Sequence, residues 1–141
     1  MDLVIDASVA AKWVFDEPDA GRARALRDDA ERGGFELVAP EILPAEIANV
    51  IWKRVIREEL DAKNAQSVFD QFSRICPVLI RLSNLVETAL ALSIRFRHSV
   101  YDNLYVALAI ERGCGFVTAD EKLFRLLSPS IPGVRLLRNW A

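Results

Sequence analysis

Asp6, Glu46, Asp102 and Asp120 are the residues of this chain whose type and placement suit chemistry. Each carboxylate stands at or beside a point where an apolar run gives way to a helix-start signal. Four acids brought together repel one another unless something positive joins them. A divalent cation is the simplest compensation, and hard oxygen donors select Mg²⁺ or Mn²⁺. A cation held this way activates water and stabilises developing negative charge, which is hydrolytic chemistry.

Taken singly, each acid has a plainer explanation. Asp6 and Ser8 are ordinary turn residues, with Ser8 placed to cap a helix. Glu46 suits the positive end of a helix. Asp102 and Asp120 suit N-cap positions. Their recurrence at strand-to-helix or loop-to-helix junctions is what favours a common site.

Around Glu46, the polar residues Glu46, Asn49, Lys53 and Arg57 interrupt an otherwise apolar helix. At about 100° per residue they share an arc of roughly 80°. That arc is either a solvated stripe or a functional face with Glu46 and Asn49 near an ion and Lys53 and Arg57 near phosphate. Upstream of Asp102, Arg95, Arg97 and His98 form a basic patch. An isolated histidine is more often a surface residue than a general base, so His98 receives no role. Lys122 reads as an exposed lysine.

The elements that must position these residues alternate along the chain. Strands are expected at 3–5, 35–39, 77–82, 115–118 and 134–137. Helices are expected at 8–14, 20–32, 40–57, 62–74, 83–96, 102–112 and 120–127, with Gly33-Gly34, Gly113 and Ser128-Pro129 as stops. Most of helix 40–57 is expected to be buried. Strands alternating with helices imply crossover connections and a parallel sheet, hence one three-layer α/β/α domain over residues 1–141. Asp6 and Asp120 then follow strands, and open parallel sheets bind ligands at the carboxyl ends of their strands, at a switch in strand order.

Composition agrees. The chain has 141 residues, 52% hydrophobic and 27% charged, and a domain of that size buries roughly 68–70% of its unfolded surface. Uninterrupted apolar runs reach only about seven residues, against the roughly 20 a membrane span needs. The start of the chain lacks the basic region and cleavage site of a secretion signal. Cys76 and Cys114 have no metal-type spacing and are expected to be buried and unreactive in a reducing, cytoplasmic setting. The net charge of −2 argues against a general basic nucleic-acid binder. It does not exclude a phosphodiester substrate, because acids committed to a metal add little surface field.

The ordered set resembles a known family. Val4-Ile5-Asp6-Ala7-Ser8, Glu46 with Asn49, Tyr101-Asp102-Asn103-Leu104-Tyr105-Val106-Ala107-Leu108-Ala109 and Thr118-Ala119-Asp120 look like the PIN-domain nucleases. The Asp-Ala-Ser-Val-Ala-Ala-Lys-Trp opening looks most like the VapC toxins of toxin–antitoxin pairs. Asn103 departs from the pattern, where a small residue often follows the acid, and is not expected to affect catalysis.

The resemblance implies a mostly parallel sheet of about five strands with the four acids around one or two Mg²⁺ or Mn²⁺ ions. It implies endonucleolytic RNA cleavage, inhibition by a cognate antitoxin, and homodimers. The assignment of roles follows. Asp6 and Asp102 are primary ligands, and Asp120 completes the set or holds a coordinated water. Glu46 binds a second ion or positions the attacking water, while Ser8, Asn49 and Thr118 orient the ligands. Lys12, Lys53, Arg57, Arg95 and Arg97 are candidates for gripping the RNA backbone.

Three rivals carry discriminating features. A haloacid-dehalogenase-like phosphatase with Asp6 as nucleophile wants a second acid two residues on, where this chain has Ser8. A phosphoacceptor receiver domain needs its aspartate after a third strand near mid-chain, where the Glu46 helix falls. A catalytically silent PIN-like interaction module has no need of all four acids.

Overall fold

The computed structural model describes Met1–Ala141. Five strands run in chain order: β1 Asp2–Ile5, β2 Glu36–Pro40, β3 Val78–Ile80, β4 Gly115–Thr118 and β5 Val134–Leu136. They form one sheet, ordered β3-β2-β1-β4-β5, in which every neighbouring pair is parallel. The chain builds outward from β1 to β2 and β3, then returns to add β4 and β5 on the other side of β1. The order therefore reverses between β1 and β4, and a crevice opens at the carboxyl ends of these two strands.

Seven helices flank the sheet in a three-layer α/β/α arrangement: α1 Ala7–Ala10, α2 Ala20–Glu31, α3 Leu43–Ile56, α4 Ala65–Ile75, α5 Val86–Phe96, α6 Val100–Arg112 and α7 Glu121–Leu127. Helix α6 packs against β1, β2 and β4, and residues Asn103 to Ala109 are all buried, which is why its sequence reads apolar on every side. Helix α5 packs on α6, and α3 packs on α4 and α1. Beyond their leading acids Asp2 and Glu36, the central strands β1 and β2 are apolar and buried, as expected where both faces are covered.

Several boundaries differ from expectation. Ser8 does not cap the first helix. Asp6 does, because its extended backbone lets the carboxylate reach the Ser8 and Val9 amides at 3.1 and 3.3 Å. That helix closes after one turn into a 3₁₀ segment at Ala11–Trp13. Pro40 ends β2 opposite Ile80 instead of opening α3. Asp102 is not an N-cap either. Ser99 caps α6, accepting the Asp102 amide at 3.2 Å, and Asp102 lies in the first turn. Asp61 caps a 3₁₀ turn, Ala62–Asn64, ahead of α4, and Leu82–Asn84 is likewise 3₁₀.

Helix α3 is less buried than its composition implies, since Trp52 and Ile56 are 57% and 63% exposed. Cys76 and Cys114 are free and half-buried, and burial pushes both thiols up. No helix is long and apolar enough to cross a membrane.

Candidate active site

The carboxyl ends of β1 and β4 place Asp6 beside Thr118. Asp6 Oδ2 accepts the Thr118 hydroxyl at 2.6 Å, although the two residues are 112 positions apart. Asp6 Oδ1 accepts the Ser8 hydroxyl at 2.5 Å as well as the Ser8 and Val9 amides. Ser8 Oγ in turn accepts the Ala119 amide at 2.9 Å, stitching the β1–α1 turn to the end of β4. Thr118 Oγ1 also accepts the Asp120 amide at 3.1 Å. Ser8 and Thr118 thus hold Asp6 in place by direct hydrogen bonds.

Asp6 is 7% exposed. Burial pushes its carboxyl up to about 6, against the pull of the two hydroxyls and the Val9 amide, and the nearby charge of Asp102 pushes it further the same way. Glu46 is also raised, first by burial and additionally by Asp102, while a hydrogen bond from Tyr105 opposes the rise. Asp6, Glu46 and Asp102 therefore share one negative field. Their bonded partners are hydroxyls, backbone amides and one imidazole. No lysine or arginine is bonded to any of the three.

An open cavity of about 450 Å³ adjoins them, lined by Glu46, Asn49, Lys53, Ser99, Tyr101 and Asp102 among others. The polar face of α3 is thus turned toward the first turn of α6. Arg57 lies beyond the cavity as the α3 C-cap. A larger hollow of about 620 Å³ opens at the opposite ends of the strands, around Met1 and Cys114, and contains no acid.

Asp120 stands apart. It is exposed, and its carboxylate caps α7 by accepting the Leu123 amide at 3.1 Å. Lys12 is held by Glu17 at 3.1 Å, and the same carboxylate bonds Arg54, whose guanidinium lies 3.9 Å over the Phe15 ring. Arg95 lies 4.7 Å over Phe96, and Arg97 occupies the exposed, left-handed C-cap of α5. Of the five basic candidates, Lys53 alone lines the cavity.

Two side chains at the site receive no role from the sequence, where His98 reads as a surface residue and Tyr105 stands only within a motif. Tyr105 donates to Glu46, and His98 Nε2 lies 2.5 Å from Asp102 Oδ2. The available signal was spacing, since His98, Asp102 and Tyr105 are three to four residues apart and fall on one side of the same helix start.

The donors suit a hard divalent cation, since a buried carboxylate and two neighbours carry negative charge with no ammonium or guanidinium bonded to them. No three acidic, imidazole or thiolate side chains close on a common point. A complete protein cage is not needed for Mg²⁺, which keeps several waters and takes one or two carboxylates.

The comparisons with known proteins bear on family and fold. The PIN-domain family profile matches residues 3–127. The chain is 31% identical over 126 residues to Ribonuclease VapC3 of Pyrobaculum aerophilum, an alignment covering 87% of this chain and 92% of that one. In fold it is similar to Mycobacterium tuberculosis VapC20, described as a sarcin-ricin loop cleaving toxin. There the TM-score is 0.66 at 14% identity, over 94% of this chain and 98% of that one. It is also similar to a chain of a toxin–antitoxin complex from Klebsiella pneumoniae, with a TM-score of 0.61 at 17% identity, over 96% and 97% of the two chains. By profile and by identity over most of its length, the chain belongs to the PIN-domain family, in its VapC-type branch.

Proposed function

We propose that this chain is a divalent-cation-dependent endoribonuclease, the toxin of a toxin–antitoxin pair. RNA is its substrate and a cognate antitoxin protein its inhibitor. The observation that carries the reading is the buried Asp6 carboxylate at the strand-order switch, in the field of Asp102 and beside a cavity holding Glu46, Asn49 and Lys53. Relatives named as VapC ribonucleases support it.

In this reading Asp6 and Asp102 would hold Mg²⁺ or Mn²⁺, and Asp120 would complete the set or hold a coordinated water. The chemistry the ion supplies when bound is Lewis acidity at the phosphodiester and acidification of water. Glu46 orients the attacking water. Its Oε1 is engaged by Tyr105, so Oε2 is the oxygen that accepts the proton. A carboxyl raised by burial is a stronger base than a surface glutamate, which suits that task. Ser8 and Thr118 keep Asp6 from rotating. Lys53 and Asn49 bind phosphate oxygens along the cavity wall, and Arg57, Arg95 and Arg97 extend that grip along the strand. One domain over residues 1–141, a cytoplasmic setting and a homodimer complete the proposal.

The test is cleavage-site mapping on total cellular RNA with and without EDTA, using the parent, Asp6→Ala and Asp102→Asn. Cuts that need the cation and disappear in both variants, with circular dichroism unchanged, are expected. Equal cutting by all three proteins would remove the site assignment. An aspartyl-phosphate trapped at Asp6 would favour the phosphatase reading instead.

A further inference from the structure

His98 is the chain's one histidine, and its position is built with unusual care. Arg97, immediately before it, has φ +53°, a left-handed conformation that non-glycine residues seldom adopt. The His98 amide donates to Ser93 O at 3.3 Å, which ties the turn back to α5. From below, the fully buried Asn103 amide donates to Ser93 Oγ at 3.1 Å, Ser99 O at 3.1 Å and His98 O at 3.5 Å. Ser99 Oγ accepts the Asp102 amide. The turn at 97–99 is thereby fixed to both helices, and it delivers the imidazole Nε2 to Asp102 Oδ2 at 2.5 Å.

An ionised carboxylate has no proton to give, so Nε2–H is the donor. Oδ2 is then occupied, and Oδ1 accepts no hydrogen bond from the protein.

We propose that His98 is a positioning residue for Asp102: it fixes the carboxylate rotamer so that Oδ1 is offered to the divalent cation, and Asn103 is the buried brace that keeps His98 in place. This rests on the ion-binding reading of Asp102 given above. Hydrogen-bond partners of ligating groups commonly alter metal affinity by about 10–100-fold when removed. A histidine that merely decorated the helix start would leave ion affinity unchanged.

The experiment is Mn²⁺ titration of the full chain by calorimetry, without RNA, on the parent, His98→Phe, His98→Gln and Asp102→Asn, with thermal melts alongside. Phe keeps the ring's bulk and removes the donor, whereas Gln restores an N–H. The expected result is a Kd weakened about tenfold or more in His98→Phe, substantial recovery in His98→Gln, and similar unfolding temperatures for both. If His98→Phe binds Mn²⁺ as tightly as the parent while Asp102→Asn does not, the positioning role is wrong and the nuclease reading stands. If Asp102→Asn also binds like the parent, or the parent binds no Mn²⁺, the ion-binding reading falls and this inference with it.

Discussion

Tyr105 donates its phenolic proton to Glu46 Oε1 across 2.5 Å, joining the middle of α6 to the first turn of α3. Burial, followed by the charge of Glu46, holds the phenol far above its ordinary range, so it stays protonated at any physiological pH. The bond fixes which carboxylate oxygen faces the cavity. Tyr105→Phe should therefore keep the fold, cost about 1 kcal/mol of stability, and slow single-turnover RNA cleavage about tenfold. Quench-flow cleavage with a parallel melt measures both, and an undiminished rate would remove Glu46 from the proton path.

The pH dependence of the metal-free protein follows from Asp6. Its carboxyl lies near 6 in the folded chain and 3.8 in the unfolded one. A raised folded value means that the folded state binds the proton more tightly. The associated stability is complete below about pH 4 and lost as pH rises through 6. At neutral pH the buried charge costs up to ~3 kcal/mol. In EDTA, Asp6→Asn should melt above the parent at pH 7, with the gap closing toward pH 4. Thermal melts across that range check the sign, and a lower melting point for the variant at pH 7 would contradict it.

Thr118 is fully buried and serves two neighbours, donating to Asp6 Oδ2 and accepting the Asp120 amide. Thr118→Val strands both partners and should destabilise by roughly 1–3 kcal/mol. Thr118→Ser keeps the hydroxyl and should lose less. Urea titrations of the two variants rank them, and equal losses would mean that packing, not the hydroxyl, is what the position supplies.

Lys53 and Lys12 separate by their partners. Lys53 lines the cavity, whereas Lys12 is committed to Glu17. Lys53→Ala should raise KM for RNA and shrink the salt slope of binding by about 0.7, one single-strand phosphate contact. Lys12→Ala should leave that slope unchanged. Binding isotherms over a salt series make the comparison, and identical slopes for both variants would exclude a phosphate contact from Lys53.

The parts of the fold that depend on periodicity and punctuation could be read in advance. Leu3-Val4-Ile5 and Gly115 to Thr118 are apolar runs ending at an acid and a helix signal, so β1 and β4 follow from pattern, whereas their adjacency and the crevice between them come from the sheet order. The shared arc of Glu46, Asn49 and Lys53 likewise survives as one wall of the cavity.

What pattern missed depends on partners distant in sequence or hidden by residue type. Tyr105 sits inside a run of apolar residues and reads as core until Glu46, 59 positions away, appears beside it. Lys12 reads as available for RNA although the Glu17 that holds it stands only five positions on, beyond the end of the first helix, where helical spacing does not pair the two. Trp52 and Ile56 read as buried because their hydrophobicity is visible in sequence, whereas the absence of a neighbour to cover them is not. Asp102 and Ser8 were each assigned a cap that a residue two or three positions upstream provides, an ambiguity that turn chemistry leaves open.

The bond between Asp6 and Thr118 has a consequence for synthesis. The acid and the hydroxyl that steadies it are synthesised 112 positions apart, because β4 must slot in next to β1. A nascent polypeptide halted before residue 115 has Asp6 without Thr118 and Ser8 without the Ala119 amide. On the proposed reading, the site stays unassembled during synthesis until β4 has emerged to dock beside β1.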